Sequence, residues 1–573
     1  MPERPLIVLK FGGSVLRAEG DLTSAAAEVY RWHRRGWRVV AVASAYHGVT
    51  DRLAGEARRW PDGCDSARAA LIGAGETRAA CHLALRLRES GLRCRFVPVS
   101  EAGLLAEGPA LASHPRAVDR ARLHGLLARH DVLILPGFQA QGPDGEPRLL
   151  GRGGSDLTAL VLAEQLQADR CRLVKDTHGL FEFDPALAGP RPGRYRAITW
   201  ADAARLGDQV LQPRALAYAR RHQRPFDFAA PGRSAGTLVG ADSTALDPPR
   251  EPGRPRRVAL AGCGTVGGGL AAMLADLPWL ELASVAVRRR RRSRPDLPDG
   301  VTVVNEPRDL LASAPDVVVD TMGDGAAALP LLRAALARGI PVVTADKDLL
   351  AHHGPELRSL ADQAGTVVRG SAACGGGAPM LEQTRQLASA HPLVRLQGVI
   401  NGTSNWILDR LHEGQSLEDA IAAAQAAGFA EADPTADVGG HDAARKLCLL
   451  AHAAWGMTLT PAQVDTRGLD DGAANRLHGD GRRRLVAQLE RRGDAVRASV
   501  SVQEVAADHS LHPVPGVRNR LVLESASGQQ WVVDGDGAGR VPTAQSVLAD
   551  VLDVLADADA TAPTATVRCR QGA

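Results

Sequence analysis

The amino-acid sequence predicts an α/β protein made of two halves joined by a short linker. In residues 1–240, predicted strands and helices alternate along the chain, which is typical of a largely parallel sheet. Residues 241–256 hold four prolines and few apolar side chains, a composition that favours a domain boundary. A strand, a glycine-rich turn and a helix follow from about residue 258, an order that favours a doubly wound parallel sheet.

The composition is that of an ordinary globular protein and argues against several functional classes. Of the 573 residues, 45% are hydrophobic and 23% are charged, and a net charge of +3 is too small to favour nucleic acid or a membrane surface. No apolar segment approaches the ~20 residues that cross a bilayer, and the first residues show no signal-peptide pattern. The eight cysteines include no CxxC pair, which favours reduced thiols and a cytoplasmic location.

Lysine usage is the most informative feature of the composition. Of the 68 Lys and Arg residues, four are lysine: Lys10, Lys175, Lys347 and Lys446. A chain that uses arginine almost everywhere is expected to keep lysine where a compact, deprotonatable or phosphate-directed ammonium is needed. The alternative is that four lysines survive by chance on the surface, but each one lies in a segment that other features single out.

The first half is predicted to place anion-binding groups where its strands end. A strand at residues 6–9 runs into Lys10 and a Gly-Gly pair, and GRGGSD at 151–156 puts Asp156 among glycines before a helix predicted at 157–168. Lys175 and Asp176 end a further strand. Glycines after a strand let backbone N–H groups approach a phosphate, although tight turns without a ligand are also common there. Between these motifs the pattern predicts helices near 21–35, 66–90 and 117–129 and strands at 37–44, 94–99 and 131–136.

Five segments of this half, in order, resemble the motifs of the aspartate kinase domain, which has the amino-acid kinase fold. They are KFGGS (10–14), SAYHGVTDRL (44–53), GET (75–77), GRGGSDLTA (151–159) and KDTHGLFEFDP (175–185). The resemblance implies that Lys10 holds the transferred phosphoryl group. It implies that aspartate is bound by Thr50, Glu76, Arg152, Gly153, Gly154, Ser155 and Asp156. It implies that Mg-ATP is bound by Lys10, Gly12, Gly13, Ser14, Lys175, Asp176, Phe181 and Asp184.

Two departures from the kinase pattern leave a catalytically degenerate scaffold as an alternative. Lys175 stands where the family usually has threonine before the nucleotide loop. Gln209 and Gln212 stand where the family usually has lysine and histidine. Phosphoryl transfer depends on cations and backbone dipoles around the phosphate oxygens, so both changes bear on activity.

The second half opens with the dinucleotide-binding glycine pattern. Gly262, Gly264 and Gly267 follow a predicted strand and open a helix. The next strand ends in an arginine run that begins at Arg288 and extends to Arg292, where an acidic residue would favour NAD. Arginine suits the 2′-phosphate of NADP, although a solvated charge run is the alternative.

An acidic loop followed by a helix is the predicted chemical centre of this half. The loop carries Glu431, Asp433 and Asp437, and a helical pattern starts near Asp442. Asp442 and Lys446 are four residues apart, so both side chains project from one helix face. Such a cluster can bind an amino-acid ammonium and carry a proton, whereas the alternative is an ordinary ion pair at a helix N-terminus.

Segments of this half closely resemble homoserine dehydrogenase. They include AGCGTVGGGL (261–270), VVTADKDLLA (342–351), GGGAPML (375–381), NGTSNWIL (401–408), AGFAEADPTADVGGHDAARK (427–446), HPVPGVRN (512–519) and DGDGAGRVPTAQSVLADVL (534–552). The resemblance implies that Lys446 and Lys347 are catalytic, that Glu431 and Asp442 bind substrate, and that Asp437 supports them. It implies that NADP is bound by Gly262, Gly264, Thr265, Val266, Gly267, Arg288, Thr321, Lys347 and Gly537.

Two positions depart from the dehydrogenase pattern. Asp346 stands where the family usually has asparagine. Ser371 stands where the family has a sodium-site glutamate. The resemblance leaves a monovalent cation to be held by backbone carbonyls alone, those of Cys374, Gly376 and Ala378.

Together the resemblances identify the chain as a member of the bifunctional aspartate kinase–homoserine dehydrogenases, enzymes of threonine, methionine and isoleucine biosynthesis, without the usual regulatory region between the halves. The expected domains are a kinase-like domain at 1–240, a linker at 241–256, an NADP-binding Rossmann domain at 257–370, an inserted α+β catalytic and dimerisation domain at 371–530, and a returning segment at 531–573. We expect small-molecule substrates and a homodimer or larger homo-oligomer. The alternatives are a dehydrogenase with an inactive kinase-like scaffold and, more distantly, a sensor built from both folds.

Overall fold

The computed structural model describes residues 4–60, 63–185, 187, 191–207, 211–233, 236–249, 254–288, 297–469 and 482–559. Across these ranges the chain is an α/β protein with mixed, parallel and antiparallel sheets, which confirms the predicted fold class. No helix in this described part combines the length and apolar character needed to cross a bilayer.

The first half is built around one large mixed sheet. Its helices are α1 (Leu22–Arg34), α2 (Val49–Ala57), α3 (Asp65–Glu89), α4 (Val99–Ala102), α5 (Arg120–Leu127), α6 (Gly154–Gln165), α7 (Trp200–Arg205) and α8 (Pro213–Arg221). Its strands are β1 (Leu6–Phe11), β2 (Arg38–Ala43), β3 (Cys94–Phe96), β4 (Leu105–Glu107), β5 (His114–Ala117), β6 (Val132–Pro136), β7 (Gln139–Gln141), β8 (Pro147–Leu149), β9 (Arg170–Val174), β10 (Arg194–Ile198), β11 (Phe226–Ala229), β12 (Thr237–Val239) and β13 (Ala245–Asp247).

Among the described residues the large sheet has nine strands, in the order β13-β10-β12-β11-β9-β1-β2-β6-β3, and β5-β4-β7-β8 form a smaller sheet. The central strand β1 is parallel to both of its neighbours and is buried along its whole length. Alternate side chains of β1 enter cores on opposite faces, Val8 on one side and Leu9 on the other. Burial on both faces explains the continuous apolar run that precedes Lys10.

Two details differ from the prediction. Helix α6 begins at Gly154 and not at residue 157, because Gly153 adopts φ 75° and turns the chain directly into the helix. Within the predicted linker, β13 adds an antiparallel edge strand to β10, where Asp247 pairs with Arg194. The Pro-rich composition therefore gave no sign of this strand.

The second half begins with a parallel sheet in the order β16-β15-β14-β17-β18-β19. Its strands are β14 (Arg256–Ala261), β15 (Leu280–Ala286), β16 (Thr302–Val304), β17 (Val317–Asp320), β18 (Val342–Thr344) and β19 (Val368–Arg369), and its helices are α9 (Thr265–Ala275), α10 (Gly325–Leu336) and α11 (Lys347–Gln363). The order reverses at β14, so its carboxyl end and that of β17 flank the crevice where doubly wound sheets bind ligands.

An antiparallel sheet packed on helices follows. Its strands are β20 (Leu393–Val399), β21 (Asp465–Thr466), β22 (Arg482–Arg492), β23 (Ala495–Val505), β24 (Arg518–Ser525) and β25 (Gln530–Asp536). Its helices are α12 (Met380–Ala390), α13 (Gly402–His412), α14 (Leu417–Ala426), α15 (Thr435–Val438) and α16 (His441–Trp455). The last described helix, α17 (Arg540–Asp559), packs on α9 and shares its apolar core.

Candidate active sites

Lys347, Asp442 and Lys446 form a cluster between α11 and α16. Asp442 Oδ1 lies 2.5 Å from Lys347 Nζ, and Asp442 Oδ2 lies 2.7 Å from Lys446 Nζ. Lys347 is the first residue of α11, directly after β18, whereas Asp442 and Lys446 are one turn apart near the start of α16. The predicted i,i+4 pair is therefore present, and a second lysine from a distant segment joins it.

The cluster keeps its charges because each charge has a partner. Burial alone would raise the pKa of Asp442, but the ammonium groups of Lys446 and Lys347 hold it well below its ordinary range. Burial opposes the charge on Lys347, but Asp442 outweighs that effect and raises the pKa of the Lys347 ammonium. The lowered pKa of Asp442 and the raised pKa of Lys347 thus keep that carboxylate and that ammonium charged at neutral pH.

Asn401 and Ser404 complete this site, and the sequence reading did not assign them a role. Asn401 Nδ2 donates to Asp442 Oδ2 at 2.8 Å and to Asp437 Oδ1 at 2.7 Å. Asn401 also caps α13 by accepting from Ser404 N, and Ser404 Oγ donates to the carbonyl of Asp437. The signal that could have found Asn401 is the NGTSN sequence, in which a helix N-cap directly follows a strand.

The structure separates the remaining acidic residues of the loop from the lysines. Glu431 is exposed. Its backbone carbonyl accepts a hydrogen bond from Gln425 Nε2 at 3.0 Å. Asp433 is also exposed and bonds to Thr435. Asp346, which departs from the family pattern, caps α11 by accepting from Leu349 N at 3.0 Å, a role that aspartate and asparagine fill equally well.

The predicted cofactor glycines form a cradle at the carboxyl ends of β14 and β17. Gly262 has φ 90°, and a Cβ there would lie 2.9 Å from the carbonyl carbon of Thr321. A Cβ on Gly267 would lie 2.2 Å from the carbonyl oxygen of Gly262. Gly264 faces open space at the N-terminus of α9, beside Thr265 and Val266. This geometry fits a dinucleotide whose pyrophosphate approaches the helix N-terminus.

The other predicted cofactor residues follow the ends of β15, β17 and β25. Thr321 Oγ1 donates to the Gly262 carbonyl at 3.0 Å, so it braces the turn. Arg288 is exposed just beyond β15. Arg289 and the arginines that follow it to Arg292 lie outside the described residues. Gly537 follows β25 and touches the loop that contains Gly376.

The first half holds a cavity of about 410 Å³ at the carboxyl end of β1. Most of the predicted aspartate and phosphate residues line it: Lys10, Gly13, Thr50, Glu76, Arg152, Gly153, Gly154, Ser155, Asp156 and Lys175. Lys10 Nζ lies 2.5 Å from Asp156 Oδ1, and Lys175 Nζ lies 3.3 Å from Asp156 Oδ2. Two cations and a helix N-terminus in one cavity suit an anionic ligand.

Burial moves the pKa values of two ionisable groups in this cavity toward 7. It lowers the pKa of the Lys10 ammonium to about 8, despite the opposing attraction of Asp156. It raises the pKa of Glu76 to about 7. Both groups therefore titrate close to neutral pH.

The predicted ATP residues are only partly brought together. Gly12 packs beside Lys10 and Lys175, but Asp176, Phe181 and Asp184 do not line the cavity, and the Ser14 hydroxyl is buried without a described hydrogen-bond partner. Gln212 packs against Gly153, where a Cβ would lie 2.4 Å from its Cγ. Gln209 lies outside the described residues.

The residues around the predicted monovalent-cation site do not fit such a cation. Ser371 donates both its N–H and its hydroxyl to Asp550, at 2.8 and 2.7 Å. The nearby carboxylates of Asp550 and Glu382 are both paired with Arg34. The Arg34 guanidinium thus already occupies the place of a cation beside the two carboxylates that would attract one to the backbone carbonyls of Cys374, Gly376 and Ala378.

Comparison with known proteins matches each half of the chain to a family. The amino acid kinase family matches residues 5–226, the NAD-binding domain of homoserine dehydrogenase matches 262–369, and homoserine dehydrogenase matches 379–552. A homoserine dehydrogenase from Pseudomonas aeruginosa is 35% identical over 320 residues, which cover 53% of this chain and 73% of that protein. The chain belongs to the homoserine dehydrogenase family.

Further relatives agree with this assignment. A protein of Pseudomonas canavaninivorans named NAD(+)-dependent homoserine dehydrogenase is 33% identical over 236 residues, which cover 40% of this chain and 67% of that protein. The crystal structure of a homoserine dehydrogenase from Thiobacillus denitrificans is 31% identical, has a TM-score of 0.50, and covers 54% of this chain and 74% of that one. The present chain is therefore a homoserine dehydrogenase with an NAD(P)-binding domain and an N-terminal amino acid kinase domain.

Proposed function

We propose that the second half interconverts L-aspartate 4-semialdehyde and L-homoserine with NADP(H), and that the Lys347–Asp442–Lys446 cluster carries the reaction. The observation that supports this proposal most directly is that one buried carboxylate orients both ammonium groups, at 2.5 and 2.7 Å. The bound cofactor supplies or accepts a hydride at the carbon that bears the substrate oxygen. The protein must then bind the amino-acid end of the substrate and move one proton to or from that oxygen.

Lys446 is suited to hold that proton. Its ammonium has three N–H donors; it donates to the carbonyl of Ile400 and is ion-paired with Asp442 Oδ2, each 2.7 Å away. The third donor is available to the substrate oxygen. Lys347, whose side chain is 38% exposed, lies on the open side of Asp442, where it can contact both substrate and cofactor.

The preference for NADP(H) rests on Arg288. An exposed guanidinium just beyond β15 lies where the second strand of this fold approaches the ribose, and arginine pairs well with a 2′-phosphate. The alternative is a preference for NAD(H), since one relative is named an NAD(+)-dependent homoserine dehydrogenase. Steady-state rates with both cofactors test the preference.

Replacing Lys446 tests the assignment of the proton carrier. We expect Lys446→Ala to lower the turnover of homoserine by about 10²–10⁴-fold, because proton transfer is lost, while NADP(H) binding survives. Arg445→Ala is the matched control, since Arg445 is the preceding residue on α16 but pairs with Asp348 and not with Asp442. Near-normal turnover of Lys446→Ala would refute the assignment.

We infer that the first half phosphorylates the side-chain carboxylate of L-aspartate with Mg-ATP. The cavity supports this proposal, because Glu76 can bind the substrate ammonium while Lys10 and the start of α6 face the transferred phosphate. One observation favours the alternative of an inactive scaffold. Lys175, which replaces the threonine usual beside the nucleotide, forms an ion pair with Asp156. Homo-oligomerisation and a cytoplasmic location stay predictions from the sequence.

An ADP-release assay decides between the two roles of the first half. Active kinase predicts ADP release from Mg-ATP that depends on L-aspartate and disappears in Lys10→Ala. The scaffold alternative predicts background ADP release with or without aspartate. The Lys175→Thr variant tests the scaffold alternative further. It should gain aspartate-dependent ADP release only if Lys175 is the residue that prevents kinase activity.

A further inference from the structure

Helix α1 belongs to the first half but is enclosed by both halves. Each of its residues is buried, including charged ones. Ala27 packs in the core that lies between the parallel sheet and α17, while Ala549 of α17 packs in the core of the first half. A helix that shares cores in this way is a structural part of the dehydrogenase half and not a tethered neighbour.

Arg34 carries a positive charge from α1 into the dehydrogenase half. Its guanidinium donates to Asp550 Oδ1 at 2.9 Å, pairs with Asp553, and lies 3.3 Å from Glu382 Oε1. Asp550 in turn accepts both the N–H and the hydroxyl of Ser371. One buried carboxylate therefore joins Arg34 to the start of the loop that runs from Ser371 to Ala378, here called the hinge loop.

Tyr30 holds the other end of the hinge loop. Its hydroxyl is buried and donates to the carbonyl of Gly377 at 2.9 Å. Gly377 N donates to the carbonyl of Asp536 at 3.1 Å, and a Cβ on Gly376 would lie 2.5 Å from the carbonyl oxygen of Gly537. A continuous series of short contacts thus runs from α1 through the hinge loop to Gly537.

We propose that Tyr30 and Arg34 are positioning residues for the cofactor site of the dehydrogenase, supplied by the kinase-like domain. Arg34 provides, as a permanent guanidinium, the positive charge that a monovalent cation would otherwise bring to the hinge loop. Tyr30 fixes Gly377 and, through it, the Gly537 loop against the cofactor. The inference rests on the proposed placement of Gly537 at the cofactor, and it gives the first half a function that does not depend on phosphoryl transfer.

Titration with NADPH, followed by cofactor fluorescence on the full chain, tests the role of Tyr30. Tyr30→Phe removes one hydroxyl donor, and we expect the dissociation constant for NADPH to rise about three- to tenfold while the KM for homoserine changes less than about twofold. Thr23→Val is the matched control: it removes a hydroxyl of the same helix that donates to Asp276 Oδ2 at 2.5 Å, at the far end of α9. We expect no change in NADPH affinity for this control.

Monovalent salts test the charge role of Arg34. The unmutated protein should bind NADPH equally well in potassium, sodium or tetramethylammonium chloride of matched ionic strength. Arg34→Ala should bind NADPH about tenfold or more weakly in tetramethylammonium chloride and regain affinity in sodium or potassium chloride, and Arg34→Lys should need no added cation. A role limited to holding the fold would not respond to the choice of cation.

Two results would overturn the proposal. One is equal NADPH affinity for Tyr30→Phe and Thr23→Val, and the other is a need of the unmutated protein for sodium or potassium. Neither measurement depends on Arg34→Ala being folded. Homoserine turnover by the unmutated protein is measured in parallel, and its absence would refute the proposed reaction while the binding titrations still decide the positioning role.

Discussion

Replacing Asp442 with asparagine should disable the dehydrogenase and weaken the fold at the same point. The Asp442 carboxylate is ion-paired with Lys347 at 2.5 Å and with Lys446 at 2.7 Å, and it accepts a hydrogen bond from Asn401 at 2.8 Å. Asparagine keeps the shape of the side chain but has one acceptor oxygen in place of two. Its NH₂ group would face one of the lysine or asparagine donors. At least one ammonium then loses its anionic partner, which is itself only 2% exposed to solvent.

The expected loss of stability lies at the low end of the range for a broken buried ion pair. Removing one partner of such a pair costs about 3–5 kcal/mol. Lys347 is 38% exposed and can regain water, and Lys446 keeps the carbonyl of Ile400 as an acceptor, so about 3 kcal/mol is expected. Turnover of homoserine should fall on the order of 10²-fold, because both lysines lose the group that orients them.

Urea denaturation and the absorbance of the reduced cofactor measure the two effects. Asp433→Asn is the matched control, because Asp433 is an exposed carboxylate of the same loop that bonds to Thr435, and it should leave both properties unchanged. If unbalanced charge is the cause, the double variant Asp442→Asn with Lys347→Met should regain about 1 kcal/mol of stability without regaining turnover. Normal stability and turnover in Asp442→Asn would refute this reasoning.

Three further predictions concern the cofactor, the kinase cavity and regulation. Arg288→Ala should narrow the preference for NADP over NAD by some tens-fold, since one charge-assisted contact contributes about 1.5–3 kcal/mol, and equal kcat/KM for both cofactors in the unmutated protein would contradict it. If the first half is an active kinase, its kcat/KM for aspartate should rise as pH rises through about 7, where Glu76 ionises to bind the substrate ammonium. It should fall above about 8, where Lys10 loses its proton, so a flat profile across both values would contradict these roles. Threonine and lysine at low concentration should inhibit neither activity strongly, because the roughly seventeen residues between the kinase pattern, which ends at residue 240, and the strand predicted from about residue 258 are far fewer than the about 40 needed for an independent domain. Calorimetry that finds a tight threonine site, with inhibition not competitive with substrate, would contradict the last prediction.

Local features of the sequence determined the strands, helices and turns that carry the chemistry. The glycines at 262, 264 and 267 were assigned to a cofactor turn because their pattern follows a predicted strand and opens a helix, and the structure shows that a Cβ on Gly262 or Gly267 would collide with the neighbouring backbone or Thr321. The pairing of Asp442 with Lys446 followed from helix geometry, since residues four apart share a face. Such features depend on neighbours within a few residues, so the sequence contains them fully.

Only the tertiary structure decided which distant groups meet at the sites. Lys347 reaches Asp442 across 95 positions in the chain, and Asn401 arrives from the end of another strand. Glu431, which lies closer to Asp442 in sequence, is turned out into solvent beyond Gly428, a residue with φ 74° that ends the preceding helical segment. Periodicity reports that a face is buried but not which face of another element covers it.

The contact between the halves shows the same limit most clearly. The pattern near residues 21–35 predicts a helix, and GGGAPML at 375–381 resembles a family motif, but nothing in either segment indicates that they are in contact. Tyr30 and Gly377 are 347 residues apart, and their hydrogen bond exists because α17 returns from the end of the described chain to pack between the two halves. A contact of that kind depends on how whole sheets and helices stack, which is a property of the assembled fold and not of any window of sequence.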